Sequence, residues 1–332
     1  MHYRKLGKTD LTVSEVGFGA WGIGGPAMAG DIPIGWGNVD DSESLSAIKE
    51  AVNKGINFFD TADFYGVGHS EELLGNFFFK NWEGIVLATK VGHKLNSDQS
   101  ISLDYSKKHI INACDQSLKR LKKEVIDLYQ LHSAKLVHLK EGECIEAMEQ
   151  LTKEGKIRYW GISLNTFNPE PEADFFFQNN IGFSLQLVFN VINQHTLEYV
   201  IPQANKKGYG IIARMPLQFG LLSRKFSKHT KFDKDDHRSF RLTPDVLDRA
   251  LDKLEVFWDM ADRYKISPTS LAISFILSRK EISTTIPGIK TASQAIENSN
   301  YLSNLHSDDI KFLYEYYQSD LKDVVKLFKE LG

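Results

Sequence analysis

Gly55-Ile-Asn-Phe-Phe-Asp60-Thr-Ala-Asp-Phe-Tyr65-Gly-Val-Gly-His-Ser-Glu-Glu72 is the stretch that decides the fold. Gly55 reads as a helix end, and Phe58 and Phe59 as a short buried strand that carries Asp60 to its C-terminal tip. A loop then brings Tyr65 back over that tip. A new helix starts near Ser70, with Glu71 and Glu72 well placed against the helix dipole in its first turn. A carboxylate at the end of an apolar strand is costly without a cationic partner. Two other strand ends supply ionisable groups: Lys90 in Ile85-Val-Leu-Ala-Thr-Lys90, and His132 in Ile126-Asp-Leu-Tyr-Gln-Leu-His132.

Taken singly, each of these has an ordinary reading. Asp60 suits a buried structural carboxylate, Tyr65 loop packing, Lys90 a snorkelling strand-end lysine, and His132 a hydrogen-bonded core histidine. Together, at the tips of successive strand-helix units, Asp60, Tyr65, Lys90 and His132 resemble the catalytic tetrad of the aldo-keto reductases. Tyr3-Arg-Lys-Leu-Gly-Lys-Thr-Asp-Leu11 and Val13-Ser-Glu-Val-Gly-Phe-Gly-Ala-Trp21 are similar to the N-terminal words of bacterial members of that family. The first spans a hairpin over residues 3–13, which the resemblance places across the barrel floor.

Outward from this stretch the chain alternates strand and helix without a linker-like boundary. Strands are expected over 15–21, up to Lys90, up to His132, and over 157–163, 184–190, 210–215 and 283–287. Helices are expected over about 41–55, 70–78, 105–121, 145–155, 172–178, 195–207, 244–264 and 268–279, with another running to about Leu302. This is the order of an α/β parallel barrel, a (β/α)8 TIM barrel, and residues 1–332 read as one domain. The amphipathic tail from Ser307 predicts one or two outer helices that leave the pocket relatively open. Gly17-Phe-Gly19-Ala-Trp-Gly22 matches the dinucleotide-binding pattern G-x-G-x-x-G. That motif needs a helix at once, and Ile23-Gly-Gly-Pro-Ala-Met-Ala-Gly-Asp-Ile-Pro33 cannot form one.

The 332 residues are 42% hydrophobic and 25% charged, with a formal charge of −3. These are ordinary values for a globular protein and give no reason to expect nucleic acid or an anionic membrane as partner. The start carries no apolar signal core, and no apolar run approaches a membrane span. Cys114 and Cys144 fall in helical patterns and suggest neither a disulfide framework nor a metal site. The cytoplasm is the expected compartment.

The resemblance implies NADPH-dependent reduction of an aldehyde or ketone, with a small carbonyl compound as partner and no metal. Tyr65 would donate the proton, acidified by Lys90, which Asp60 keeps charged and aimed; His132 would orient the carbonyl oxygen. In the family's cofactor segments, Ser163, Asn165 and Gln186 stand where polar side chains hold the nicotinamide carboxamide, and Asn190 reads as structural. Gly288, Lys290, Thr291, Gln294 and Asn298 fall in the adenosine-phosphate segment, with Lys290 supplying charge for a 2′-phosphate. Two departures stand out. Arg214 replaces the ring that stacks on nicotinamide, and Gln294 replaces an arginine, so NADP(H) is expected with NAD(H) conceivable. Trp21 and Phe64 are the expected apolar walls of the substrate pocket, with Trp36 a weaker candidate.

Two other readings compete. Potassium-channel β subunits share this architecture and retain a tetrad, so a cofactor-binding regulatory subunit is one alternative. A Schiff-base aldolase acting through Lys90 is another, opposed by Asp60, Tyr65 and the adenosine segment. The segment 217–242, with Lys225, Lys228, Lys231, Lys234, Arg238 and Arg241, is expected to fold over a cofactor pyrophosphate.

Overall fold

In a computed structural model describing residues 1–331, the alternating pattern closes into a barrel. The eight strands are Phe18–Gly19, Phe58–Asp60, Val86–Val91, Ile126–His132, Ile157–Ser163, Ser184–Val188, Gly210–Arg214 and Thr284–Ile286, all parallel and joined in chain order. Bridges from Val16 to Thr285 and from Gly19 to Gly288 join the last strand to the first. This closure explains the glycines of the decoy motif. The amides of Gly17 and Gly19 donate to the carbonyls of Thr285 and Pro287, at 2.8 and 3.0 Å. A Cβ on Gly19 would stand 2.8 Å from the Pro287 oxygen. A single 3-10 turn, Gly22–Gly24, follows, and no α-helix.

Tyr3–Lys5 and Thr12–Ser14 pair as the expected hairpin. Leu6, Leu11 and Val13 pack on Phe58, Val86, Ala88, Leu128, Ile212 and Ile286, which closes the barrel floor with apolar surface. The mouth is therefore the face on which the strand C-termini deliver their side chains.

Helices Asp41–Asn53, Lys107–Leu121, Glu143–Lys153 and Pro244–Tyr264 lie close to their expected positions. Asp40, Ser106 and Thr243 cap three of them through side-chain oxygens. Several boundaries differ. The first strand is reduced to Phe18–Gly19 because its flanks turn into loops, and the helix expected to reach Leu302 stops at Asn298. The span 195–207 divides into a 3-10 turn, His195–Leu197, and a helix, Val200–Lys206. A helix at Leu136–Glu141 and a hairpin of His93–Leu95 with Ile101–Leu103 were not expected.

The tail forms helices Ser307–Tyr316 and Lys322–Glu330 around a wide turn at Tyr317–Leu321. The tail, expected to leave the pocket relatively open, does reach its rim. Phe328 and Leu331 line the cavity at the barrel mouth, because the apolar face of the last helix runs along the segment 217–242. Among the described residues no helix is long and apolar enough to cross a membrane. Cys114 and Cys144 are buried and unpaired.

Candidate active site

Lys90 is the centre of the barrel mouth. Its side chain is wholly buried, and its Nζ donates to Asp60 Oδ2 at 2.6 Å, to the Thr61 carbonyl at 2.8 Å and to Tyr65 Oη at 3.1 Å. Three acceptors satisfy the three N–H groups of an ammonium, as a buried charge requires. Burial works to strip the proton from Lys90, but Asp60 and Tyr65 outweigh it and hold the amine above its ordinary range. Asp60 is satisfied in turn: Oδ1 accepts from Gln186 Nε2 at 2.7 Å and from Gln130 Nε2 at 3.2 Å. Removing either ion would leave its partner charged and buried, a loss typically of about 3–5 kcal/mol.

Tyr65 lies over this pair, with Lys90 Nζ 4.7 Å from its ring centroid and the Trp21 indole stacked at 5.9 Å. Lys90 pulls the Tyr65 pKa down, as expected, but does not prevail. Burial is the larger influence and lifts the phenol above its ordinary range, with Lys90 opposing it. His132 meets the Tyr65 ring edge-on, with centroids 5.8 Å apart. Burial, then the nearby His93 and Lys90, depress the His132 pKa well below its ordinary value, so its imidazole is neutral.

The loop carrying Tyr65 is fastened from beneath. Glu71, expected only to complement the helix dipole, is fully buried and accepts from Thr89 Oγ1 at 2.6 Å and Arg120 Nε at 2.7 Å. Asp63 sits beside this network, and burial, then Glu71, push its carboxyl well above the usual range.

These groups open into a cavity of about 1020 Å³. That lies at the upper end of the usual span for small-molecule sites, about 300–1,000 Å³. Trp21, Phe64 and Trp36 all line it, so the weaker candidate Trp36 belongs to the wall as well. Ile34, Ile101, Phe167, His237 and Phe240 extend that wall.

The expected cofactor residues divide. Ser163, Gln186, Arg214, Gly288, Lys290, Thr291 and Gln294 line the cavity. Asn165 does not: it is exposed, and its Oδ1 accepts the amides of Phe167 and Asn168 in a turn. Asn298 is buried behind the wall with its Nδ2 unpartnered. Gln186 is committed to Asp60 and to the Ser163 hydroxyl, which donates to it at 3.2 Å. Arg214 donates to the Leu164 carbonyl and to Thr166 Oγ1, both at 3.0 Å, which holds the guanidinium plane across the mouth. Thr291 and Gln294 form a capping box, in which Gln294 Oε1 takes the amides of Lys290 and Thr291. Asn190 is structural, as expected: it is buried and ties Met215 O and Gln218 to the turn at 190–193.

Sequence reasoning passed over His93 and His237. Both line the cavity, and burial draws each down to about 4. His93 could have been found as an ionisable residue just beyond a barrel strand end, on the face where such residues converge.

The sequence profile of the Aldo/keto reductase family matches residues 15–317. The chain belongs to that family. It is 30% identical over 324 residues to the uncharacterized oxidoreductase YqkF of Bacillus subtilis, covering 97% of this chain and 98% of the relative. A probable voltage-gated potassium channel subunit beta of Oryza sativa is 27% identical, covering 91% of each chain. Among solved structures, the glycerol dehydrogenase AKR11B4 of Gluconobacter oxydans superposes with a TM-score of 0.78 at 26% identity, covering 96% of this chain and 95% of that one. Membership in this family and the relationship to YqkF support an oxidoreductase.

Proposed function

We propose that this aldo/keto reductase family member is an NADP(H)-dependent reductase of small aldehydes or ketones, in which Tyr65 protonates the carbonyl oxygen. The observation that carries this reading is the single buried ammonium of Lys90 bonded at once to Asp60 and to the Tyr65 hydroxyl. A phenol raised by burial keeps its proton at neutral pH. It gives that proton up when negative charge develops on a carbonyl oxygen beside it, and Lys90 then stabilises the phenolate. His132, neutral at the same mouth, donates a hydrogen bond that orients the carbonyl. Reduced nicotinamide would supply the hydride to the carbonyl carbon. Solvent returns a proton to Tyr65 once the alcohol leaves.

The residues present fit such a dinucleotide. A Cβ at Gly288 would meet nothing within 4 Å, so the backbone there is open to close approach by a ligand. Arg214 spreads a guanidinium plane across the mouth and keeps its Nε unpartnered. Lys290 is the cation for a 2′-phosphate, and binding at the capping box would take the two amides now held by Gln294.

Replacing Tyr65 with Phe retains the ring over Lys90 and removes the proton. Turnover of a simple aldehyde is expected to fall at least about 100-fold, the scale of general acid catalysis, while NADPH still quenches protein fluorescence. Near-normal turnover by the variant would refute the assignment. The channel-subunit relative favours a second reading, a cofactor-binding regulatory subunit. Tyr65-dependent turnover would exclude it as the sole role.

A further inference from the structure

The proposed chemistry leaves His93 without a task, although the chain takes trouble to place it. The strand Val86–Val91 ends one residue past Lys90, and Gly92 follows at φ +130° with the Tyr105 ring against it. A Cβ at Gly92 would lie 2.2 Å from that ring, so only glycine fits there. The chain then enters the hairpin of His93–Leu95 with Ile101–Leu103, where His93 pairs with Leu103. Tyr105 also donates to the His132 carbonyl at 2.6 Å. One buried tyrosine therefore sets the backbone of both histidines.

The two imidazoles meet edge to face at the cavity, with centroids 4.5 Å apart and planes 67° to one another, and Phe64 backs His93 at 5.3 Å. Burial is the first cause that depresses both pKa values, so both rings are neutral. Nδ1 of each is buried without a partner. A neutral imidazole carries one proton. An N–H directed into apolar packing would forfeit all hydrogen bonding, so the proton belongs on Nε2, the nitrogen toward the cavity. The site thus presents two neighbouring N–H donors in the same cavity as the apolar side chains of Trp21, Phe64, Ile101 and Phe167.

We propose that His93 is a substrate-recognition residue that binds a second oxygen on the carbon next to the reacting carbonyl, so the preferred substrates are 2-hydroxy and 2-oxo carbonyl compounds. The inference rests on the reductase reading above, in which His132 holds the carbonyl oxygen. Paired donors match paired acceptors, and a simple ketone would leave the His93 donor buried and unmatched. Specificity built this way discriminates more strongly than apolar fit.

The test uses three ketones with one carbon skeleton: butan-2-one, 3-hydroxybutan-2-one and butane-2,3-dione. Each is assayed with NADPH and with wild-type, His93→Phe and His93→Gln proteins. His93→Phe is expected to lower kcat/KM for the two oxygenated ketones by about ten-fold or more, the worth of one hydrogen bond in a closed site. The loss should appear mainly in KM. Butan-2-one should change by less than about three-fold, and His93→Gln, which keeps an N–H donor, should recover part of the loss. The relative losses for the hydroxy and oxo compounds show which the site was built for. Equal losses on all three ketones, or none, would overturn the proposal while the reductase reading stands. Failure of every variant and of the wild type to reduce these ketones and propanal would instead overturn the reductase reading and the inference with it.

Discussion

Lys290 is held more firmly than an exposed lysine. Its Nζ donates to the Trp36 carbonyl at 3.1 Å, and burial, followed by the neighbouring Arg238, lowers its pKa. Glu43 lines the same part of the cavity and carries the opposite sign. On the proposed NADP(H) reading, a 2′-phosphate would have one ammonium to bind here, already hydrogen-bonded, with Gln294 rather than an arginine beside it. Lys290→Ala is expected to weaken NADPH binding roughly ten- to a hundred-fold, the range for a hydrogen bond to a charged group. NADH binding should hardly change, as read by fluorescence titration with each cofactor. Equal losses for both would show that the lysine supports the Trp36 loop instead.

At the scale of elements, the segment 217–242 differs from its sequence-based description as an irregular basic flap. Gln218–Ser223 forms a 3-10 turn and Arg238–Arg241 a single helical turn. Lys225 pairs with Glu297, Lys228 with Asp248 and Asp252, and Arg224 with Asp262, so these cations are spent on outer helices. The inner edge is joined instead to the loop after the first strand. The His237 amide donates to Gly35 O at 3.1 Å, Trp36 bridges to Asp236, and Arg238 lies 5.0 Å from the Trp36 ring centroid. The two loops form a clasp over the mouth, and Arg241 adds the C-terminal helix by donating to Leu331 O. Exposed ion pairs weaken with salt. Hydrogen exchange in 217–242 is therefore expected to quicken in about 1 M salt and to slow strongly when NADP is added, with the outer helices unmoved. Exchange indifferent to saturating cofactor would leave the clasp a structural tie rather than a gate.

For the whole molecule, the neutral buried histidines link folding to pH. His93 and His237 fall from an ordinary value of 6.5 to about 4 in the folded state. Between these values the unfolded chain binds more protons than the folded one, so stability rises with pH there. The contribution of each is complete above about pH 6.5 and is lost as pH falls toward 4, by at most on the order of 3 kcal/mol. The urea midpoint should drop across that window, and the drop should be smaller in His93→Phe than in the parent protein. An identical pH slope in both would show that His93 is protonated without cost.

What the sequence determined by itself is the barrel and its four central side chains. Strand-helix alternation is a local pattern, and parallel closure sends every strand end to one face. Asp60, Lys90 and His132 could therefore be placed together from three apolar strands that each end in an ionisable residue. Tyr65 followed from the short loop beyond Asp60. The tertiary structure alone decided what those groups experience. Burial raises Tyr65 although Lys90 lies 3.1 Å from its hydroxyl, and Gln186 turns to Asp60 because a buried carboxylate needs donors. Asn165 leaves the cavity because its side chain closes a turn. His93 enters because Gly92 permits a bend against Tyr105, and the last helix reaches the rim of the mouth because Phe328 meets Phe219. Contacts between residues far apart in sequence set burial and pairing, and no local pattern carries them.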